Sequence, residues 1–248
     1  MHAFGNDAVA KLPMPDTPEA WIRIEAEYSA AVHGVGAPVP EFLGFDEHEG
    51  RVISIYRRAF GERMWDTVLD HPERAEEHGR RIAGLQELFA SLVPPIVLPN
   101  QVDRIRSKIR IAARFADPQL ESALAGVPSV DRVVLCHGDL HPSNVILGAD
   151  GPVVVDWFDA SRGDPVGDVA RTAILVASDP APQHLAGARH DVLTRLRSTY
   201  LDAAADVFGF DADVLERWQT VVAAARVAEV LPAETLRDIW GQWGVSGR

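Results

Sequence analysis

The stretch that decides the fold reads Val133-Val134-Leu135-Cys136-His137-Gly138-Asp139-Leu140-His141-Pro142-Ser143-Asn144, then Val145-Ile146-Leu147, the turn Gly148-Ala149-Asp150-Gly151, and Pro152-Val153-Val154-Val155-Asp156-Trp157. It is a β-like island in a region otherwise patterned as helix. Two β-branched runs around an Asp-Gly turn predict a hairpin. A hairpin brings its open ends together, with paired Cα atoms about 5 Å apart. Asn144 precedes the first strand and Asp156 follows the second, so an amide oxygen is expected beside a carboxylate. Asp139 arrives on the same loop.

Two aspartates and an asparagine converging on one point suit a hard cation such as Mg2+, which takes oxygen ligands and shares them with substrate phosphates. Asn144 ligates without adding charge, which leaves Asp139 free to accept a proton. Taken singly, each of these residues also fits an ordinary Asx turn. His137 and His141 have the spacing of a zinc-binding helix. Gly138 and Pro142 argue against a helix there. Ser143 lacks the surroundings of a hydrolase nucleophile.

Outward from the island, residues 8–12 read as a short strand ended by Pro13. Thr17 followed by Pro18 reads as the N-cap of a helix running to about His33. Trp21, Ile24, Glu25, Tyr28 and Val32 recur at helical steps and are expected on one face. Two strands follow near Phe42–Phe45 and Arg51–Tyr56, joined by Glu47-His48-Glu49-Gly50. Helices are expected over about 64–70, 73–90, 101–115, 118–124, 166–178, 184–208, 211–231 and 234–243. The stripe Val214, Leu215, Trp218, Val221, Val222, Ala225 and Ala228 marks the clearest of them. The reading is an α+β chain with a small β-containing unit over 1–60 and a larger, mainly helical unit over 61–248.

With 47% hydrophobic and 24% charged residues, the chain has the balance of a globular protein rather than a disordered one. A net charge of -12 argues against a nucleic-acid surface. It permits a cationic substrate, although most surface carboxylates are simply solvated. The lone Cys136, inside an apolar run, allows no intrachain disulfide and reads as a small buried hydrophobe. The start of the chain lacks a signal-peptide layout, and no apolar run reaches the roughly 18 residues of a membrane helix. A cytoplasmic protein is expected. The six tryptophans read as core, with Trp157 a candidate for the border of a cleft.

The segments 137–144, Val155-Asp156-Trp157 and Gly163-Asp164-Pro165-Val166-Gly167-Asp168-Val169-Ala170-Arg171 together resemble the aminoglycoside phosphotransferase and choline kinase-like family. The resemblance runs from about Ala8 to the helix at 211–231 and is specific over 135–171. It implies a two-lobed fold related to protein kinases, with a nucleoside triphosphate, ATP or GTP, in the cleft and a small hydroxylated molecule as acceptor. By resemblance, Asp139 receives the acceptor's proton, while Asn144 and Asp156 hold magnesium on the triphosphate. Asp164 reads independently as a helix N-cap, and Asp168 resembles the buried aspartate that braces the catalytic loop. The small lobe should supply a lysine for the phosphates and a helix glutamate as its partner. Lys11 and Glu25 fit, since an acidic group on a buried face needs a partner. The connector Arg57-Arg58-Ala59 is the expected hinge against the nucleobase.

Acidic residues such as Glu229, Glu234 or Asp238 could hold a cationic acceptor, or could form a solvated helix face with pairs such as Arg226–Glu229. The family places two strands and a phosphate-covering loop ahead of the lysine, yet only ten residues precede Lys11. Strands average about 5–6 residues, so two strands and a turn are not expected to fit into Met1–Ala10. That keeps open a catalytically impaired relative that only binds ligands, and the same carboxylates would also serve a metal-dependent phosphohydrolase.

Overall fold

Arg51-Val52-Ile53-Ser54-Ile55-Tyr56-Arg57 is apolar enough to be covered on both faces, and it forms the central strand of an N-terminal sheet. The computed structural model describes residues 2–14, 17–178 and 186–231. The sheet holds β1 (His2–Ala3), β2 (Ala8–Lys11), β3 (Phe42–His48) and β4 (Arg51–Arg57). Its order is β1-β2-β4-β3 and every neighbouring pair is antiparallel. Lys11 pairs with Ser54 across β2 and β4. Ala10, Ile53 and Ile55 make the small core of this sheet. Two strands and a turn do fit ahead of Lys11, contrary to expectation, because β1 is only two residues long.

Helix α1 (Glu19–Gly34) packs against β4 and against the turn Trp157–Asp159. Thr17 is not its cap: Pro18 occupies that position with extended backbone, φ -61 and ψ 138, and no side chain caps the helix. The fully buried residues are Ile22, Ala26, Ser29 and Val32, one step round from the expected stripe. Trp21, Ile24 and Tyr28 are half-buried and border a cavity, and Tyr28 packs against the main core as well.

The remaining strands are β5 (Glu62–Arg63), β6 (Val134–Cys136), β7 (Val145–Gly148), β8 (Gly151–Val154) and β9 (Ser161–Gly163). The expected hairpin is β7–β8, with Val145 opposite Val154 and Gly148 opposite Gly151. Its outer edge takes β5, and β6 pairs with β9 in a separate two-stranded ladder. Around these lie α2 (Met64–Asp70), α3 (Ala75–Ser91), α4 (Gln101–Phe115), α5 (Pro165–Ser178), α6 (Ala186–Phe208) and α7 (Ala212–Arg226).

Residues 118–126 form 3-10 turns rather than an α-helix, and none of them is fully buried, so no apolar face holds a longer helix in place. The last helix stops at Arg226 and tightens into a 3-10 turn, Val227–Val230. The helix expected over 234–243 lies outside the described residues, as do Trp240 and Trp243. The main core joins α3 and α6 to the hairpin through Phe89, Leu140, Val145, Trp157, Leu196 and Tyr200. A second core, centred on Trp218, ties α4 and α5 to α7.

The candidate active site

Strand β6 is fully buried and delivers the chain into a tight loop at Gly138, where φ is +77. A Cβ at this position would lie 2.2 Å from the Asp159 carbonyl oxygen, so only glycine fits. Asp168, on the first turn of α5, holds this loop. Its Oδ1 accepts from Gly138 N at 2.8 Å and its Oδ2 from His137 N at 3.3 Å. Gln86 on α3 donates to Asp168 Oδ2 at 2.9 Å, and the Tyr200 hydroxyl donates to Gln86 Oε1 at 2.6 Å. Asp164 accepts from Val166 N at 2.8 Å, capping α5 as expected.

His137 is fully buried. Its Nδ1 accepts from Asp139 N at 3.1 Å, so Nε2 carries the proton and donates to Val155 O at 3.1 Å. Burial holds the ring neutral, with its pKa below the ordinary histidine value. Both nitrogens are engaged, which removes the zinc reading at this residue.

Asn144 Nδ2 donates to the Asp139 carbonyl at 2.9 Å and to Asp139 Oδ2 at 3.2 Å. The Asn144 carbonyl accepts from Val155 N at 2.9 Å, which sets Asp156 immediately beyond the paired end of the hairpin. Asp156 adopts a left-handed conformation, φ 69 and ψ 62, uncommon for a residue with a side chain. Lys11 Nζ contacts Glu25 Oε1 and lies 3.0 Å from Asp156 Oδ1. The N-terminal sheet, α1 and the hairpin therefore meet in one ionic triad.

Burial works against the Lys11 charge, but the two carboxylates outweigh it and raise its pKa. Burial also pushes the Glu25 carboxyl up, against the pull of Lys11. With Lys11 held protonated, the contact is an ion pair. A cavity of about 200 Å³ lies against this triad, and Arg57, Arg58 and Ala59 form one of its walls. Val39, Tyr56, Ile146 and Trp157 complete the apolar lining, so Trp157 is both a core residue and a cleft wall.

Sequence reasoning gave Arg171 no role. Its Nε donates to Gly138 O at 2.8 Å, and its Nη2 reaches Asp139 Oδ1 at 3.2 Å. Its Nη1 lies 2.8 Å from both Glu229 oxygens. Burial alone would raise the Asp139 carboxyl; the neighbouring His141 and the Arg171 charge outweigh it and hold Asp139 below its ordinary value. Asp159 takes Lys108 at 3.0 Å and Arg104 at 3.1 Å, and these cations depress its carboxyl although desolvation works the other way. Glu229 is no solvated helix face: besides Arg171 it pairs with Lys108 at 2.7 Å and Arg226 at 3.6 Å. Glu234 and Asp238 lie outside the described residues. The one signal for Arg171 was its place on α5, one turn beyond Asp168.

The residues fit a magnesium ion. Asn144 spends its amide protons on Asp139, which leaves its Oδ1 for a cation, and Asp156 keeps one oxygen clear of Lys11. Among the described residues no cluster of three or more His, Cys, Asp or Glu could hold a metal. A divalent ion held here by Asn144 and Asp156 would complete its shell with water or phosphate oxygens, as magnesium commonly does.

Among the described residues no helix is long and apolar enough to cross a membrane. No curated protein matches the chain. Solved structures of similar fold include a type VIII aminoglycoside-3'-phosphotransferase, at 17% identity and a TM-score of 0.61 over 85% of this chain and 80% of that one. An aminoglycoside phosphotransferase of Streptomyces rimosus has 18% identity and a TM-score of 0.60, covering 90% and 87%. A choline kinase of Cryptosporidium parvum has 14% identity and a TM-score of 0.51, covering 88% and 75%. The likeness is one of fold, the kinase-like fold, in which this chain has a small sheet-based part and a mainly helical one. The family model described as the phosphotransferase enzyme family matches residues 3–202. The chain belongs to that family, whose members are kinases acting on hydroxyl acceptors.

Proposed function

We propose that the chain is a cytoplasmic kinase that uses ATP or GTP, with magnesium, to phosphorylate a hydroxyl of a small molecule. The observation that carries this reading is Lys11 held between Glu25 and Asp156 in the wall of a cleft, with Asp139 and Asn144 joined beside it. In this reading residues 1–60 are the nucleotide lobe, and 61–248 carry the catalytic loop and acceptor pocket. The backbone of Arg57 to Ala59 meets the nucleobase. Lys11, oriented by Glu25, moves from Asp156 to the α- and β-phosphates. Asn144 and Asp156 hold the magnesium, which when bound supplies positive charge to the phosphate oxygens.

Asp139 accepts the proton of the acceptor hydroxyl at its carboxylate. Arg171 keeps that carboxylate ionised and fixed in direction. Support also comes from a Streptomyces rimosus relative crystallised with ADP and streptomycin, and an amicoumacin kinase crystallised with AMP-PNP. A binding module without transfer is the second reading, favoured by the two-residue β1.

The test is transfer of labelled γ-phosphate to a panel of hydroxylated compounds, alongside a fluorescent-nucleotide titration with magnesium. Acceptor-stimulated turnover that disappears in Asp139→Ala is expected, together with nucleotide affinity that loses its magnesium dependence in Asp156→Ala. Nucleotide binding with no turnover on any acceptor would favour the binding module. Phosphate release indifferent to acceptor would point to a hydrolase.

A further inference from the structure

A second, larger cavity of about 500 Å³ opens between α1 and α4, well within the range of small-molecule sites. Trp21, Ile24 and Tyr28 come from α1 at helical steps, Ile111 comes from α4, and Phe158 and Ala228 close the apolar lining. The Trp21 and Phe158 rings lie 5.0 Å apart, and the Arg104 guanidinium sits 5.4 Å from the Phe158 centroid.

Two of the three carboxylates bordering the cavity are already matched. Asp159 contacts Arg104, Lys108 and Arg171, while Glu229 contacts Lys108, Arg171 and Arg226. A guest rich in ammonium groups would have to displace these partners, and breaking a part-buried pair leaves its cation uncompensated. Asp103 stands exposed at the mouth, where a lone carboxylate attracts a cation only weakly. Asp159 and Glu229 also border a smaller pocket of about 50 Å³, walled in addition by Gly138 and Arg171. Arg171 touches Asp139, and Gly138 packs directly on the Asp159 backbone. The large cavity is thus one layer of side chains from the catalytic loop.

We infer that this cavity holds the body of the acceptor, and that the acceptor is an uncharged aromatic or aliphatic alcohol rather than a polycation. The inference rests on the kinase reading above and narrows it. Saturation-transfer NMR on the full chain with a library of uncharged aryl-alkyl alcohols, tryptophol and coniferyl alcohol among them, reads binding directly. Phosphotransfer from ATP-magnesium is then compared for the binders, kanamycin and choline. Ile111→Trp fills the cavity, and Ser107→Trp, from another position on α4, does so independently should the first variant fold poorly.

The expected result is saturation transfer to at least one aryl-alkyl alcohol, phosphorylation of that alcohol, and a rise of about tenfold or more in its KM on filling. Affinity for a fluorescent nucleotide stays unchanged in the filled variants, because that ligand occupies the other cleft. Two results overturn the inference while leaving the kinase reading intact: turnover of kanamycin or choline with a KM indifferent to filling, or no alcohol signal that filling removes. Absence of nucleotide binding in the unsubstituted protein would instead sink the kinase reading itself.

Discussion

Arg171 touches Gly138, Asp139, Asp159 and Glu229 from a side chain only 11% exposed. A guanidinium suits this place because it stays charged and presents a rigid fork of donors to several oxygens. Replacing it with methionine leaves part-buried carboxylates short of a partner, and a loss of about 2 kcal/mol in urea unfolding is expected. The sharper consequence is electrostatic. Arg171 is one of the two neighbours that hold the Asp139 carboxyl below its ordinary value. Without that cation the carboxyl protonates at a higher pH, and a protonated Asp139 cannot receive the acceptor's proton. In Arg171→Met the acid limb of the kcat profile therefore moves to higher pH, and Arg171→Lys should recover part of the displacement. A fall in kcat with an unmoved acid limb would show that Arg171 acts on structure alone.

Among the elements, α5 does most to shape the catalytic loop. Asp168 on its first turn takes two consecutive backbone N–H groups, and Gln86 from α3 and Tyr200 from α6 fix the Asp168 side chain. Asp168→Ala orphans both N–H groups inside the core, a loss of about 3 kcal/mol. Faster amide exchange at His137 and Gly138 should accompany the shift in urea midpoint. Gln86→Leu removes one link of the chain, and about 1 kcal/mol is expected; equal losses for the two variants would contradict this hierarchy.

This part of the fold was legible because its signals are local. The β-branched runs and Asp-Gly turn announce β7–β8, and Asp164 and Asp168 follow one turn apart. The ion pair of Lys11 and Glu25 was legible from a lysine in a strand and a glutamate on an apolar helix face. Less of α1 could be read, since a period of apolar residues does not distinguish a core face from a cavity wall. Trp21, Ile24 and Tyr28 line the latter. The two residues of β1 are too few for any periodicity. Of the ion cluster only the local pair Arg226–Glu229 could be read, since Lys108 meets Glu229 across 121 positions of sequence.

At the scale of the whole molecule, acid stability depends on histidines buried without charge. His78 lies in α3 with no exposed surface, and neither ring nitrogen has a hydrogen-bond partner. Burial chiefly lowers its pKa; Arg81 and Arg74 push the same way and Glu77 against them. His137 is likewise held neutral by burial. Below about pH 6.5 the unfolded chain binds protons at these rings that the folded chain refuses, so stability falls with pH. The contribution is complete above that value and is lost progressively beneath it, at no more than about 1.4 kcal/mol per pH unit for each ring. Asp139 and Asp159 have depressed carboxyls, so their losses begin only nearer pH 4. Between pH 7.5 and 5 the decline belongs to the histidines. His78→Leu keeps an apolar side chain in the site and removes both orphaned nitrogens, so the urea midpoint should fall less steeply over that interval than in the unsubstituted protein. If the two curves stay parallel, His78 takes up its proton in the folded state without penalty, and the acid limb must come from His137.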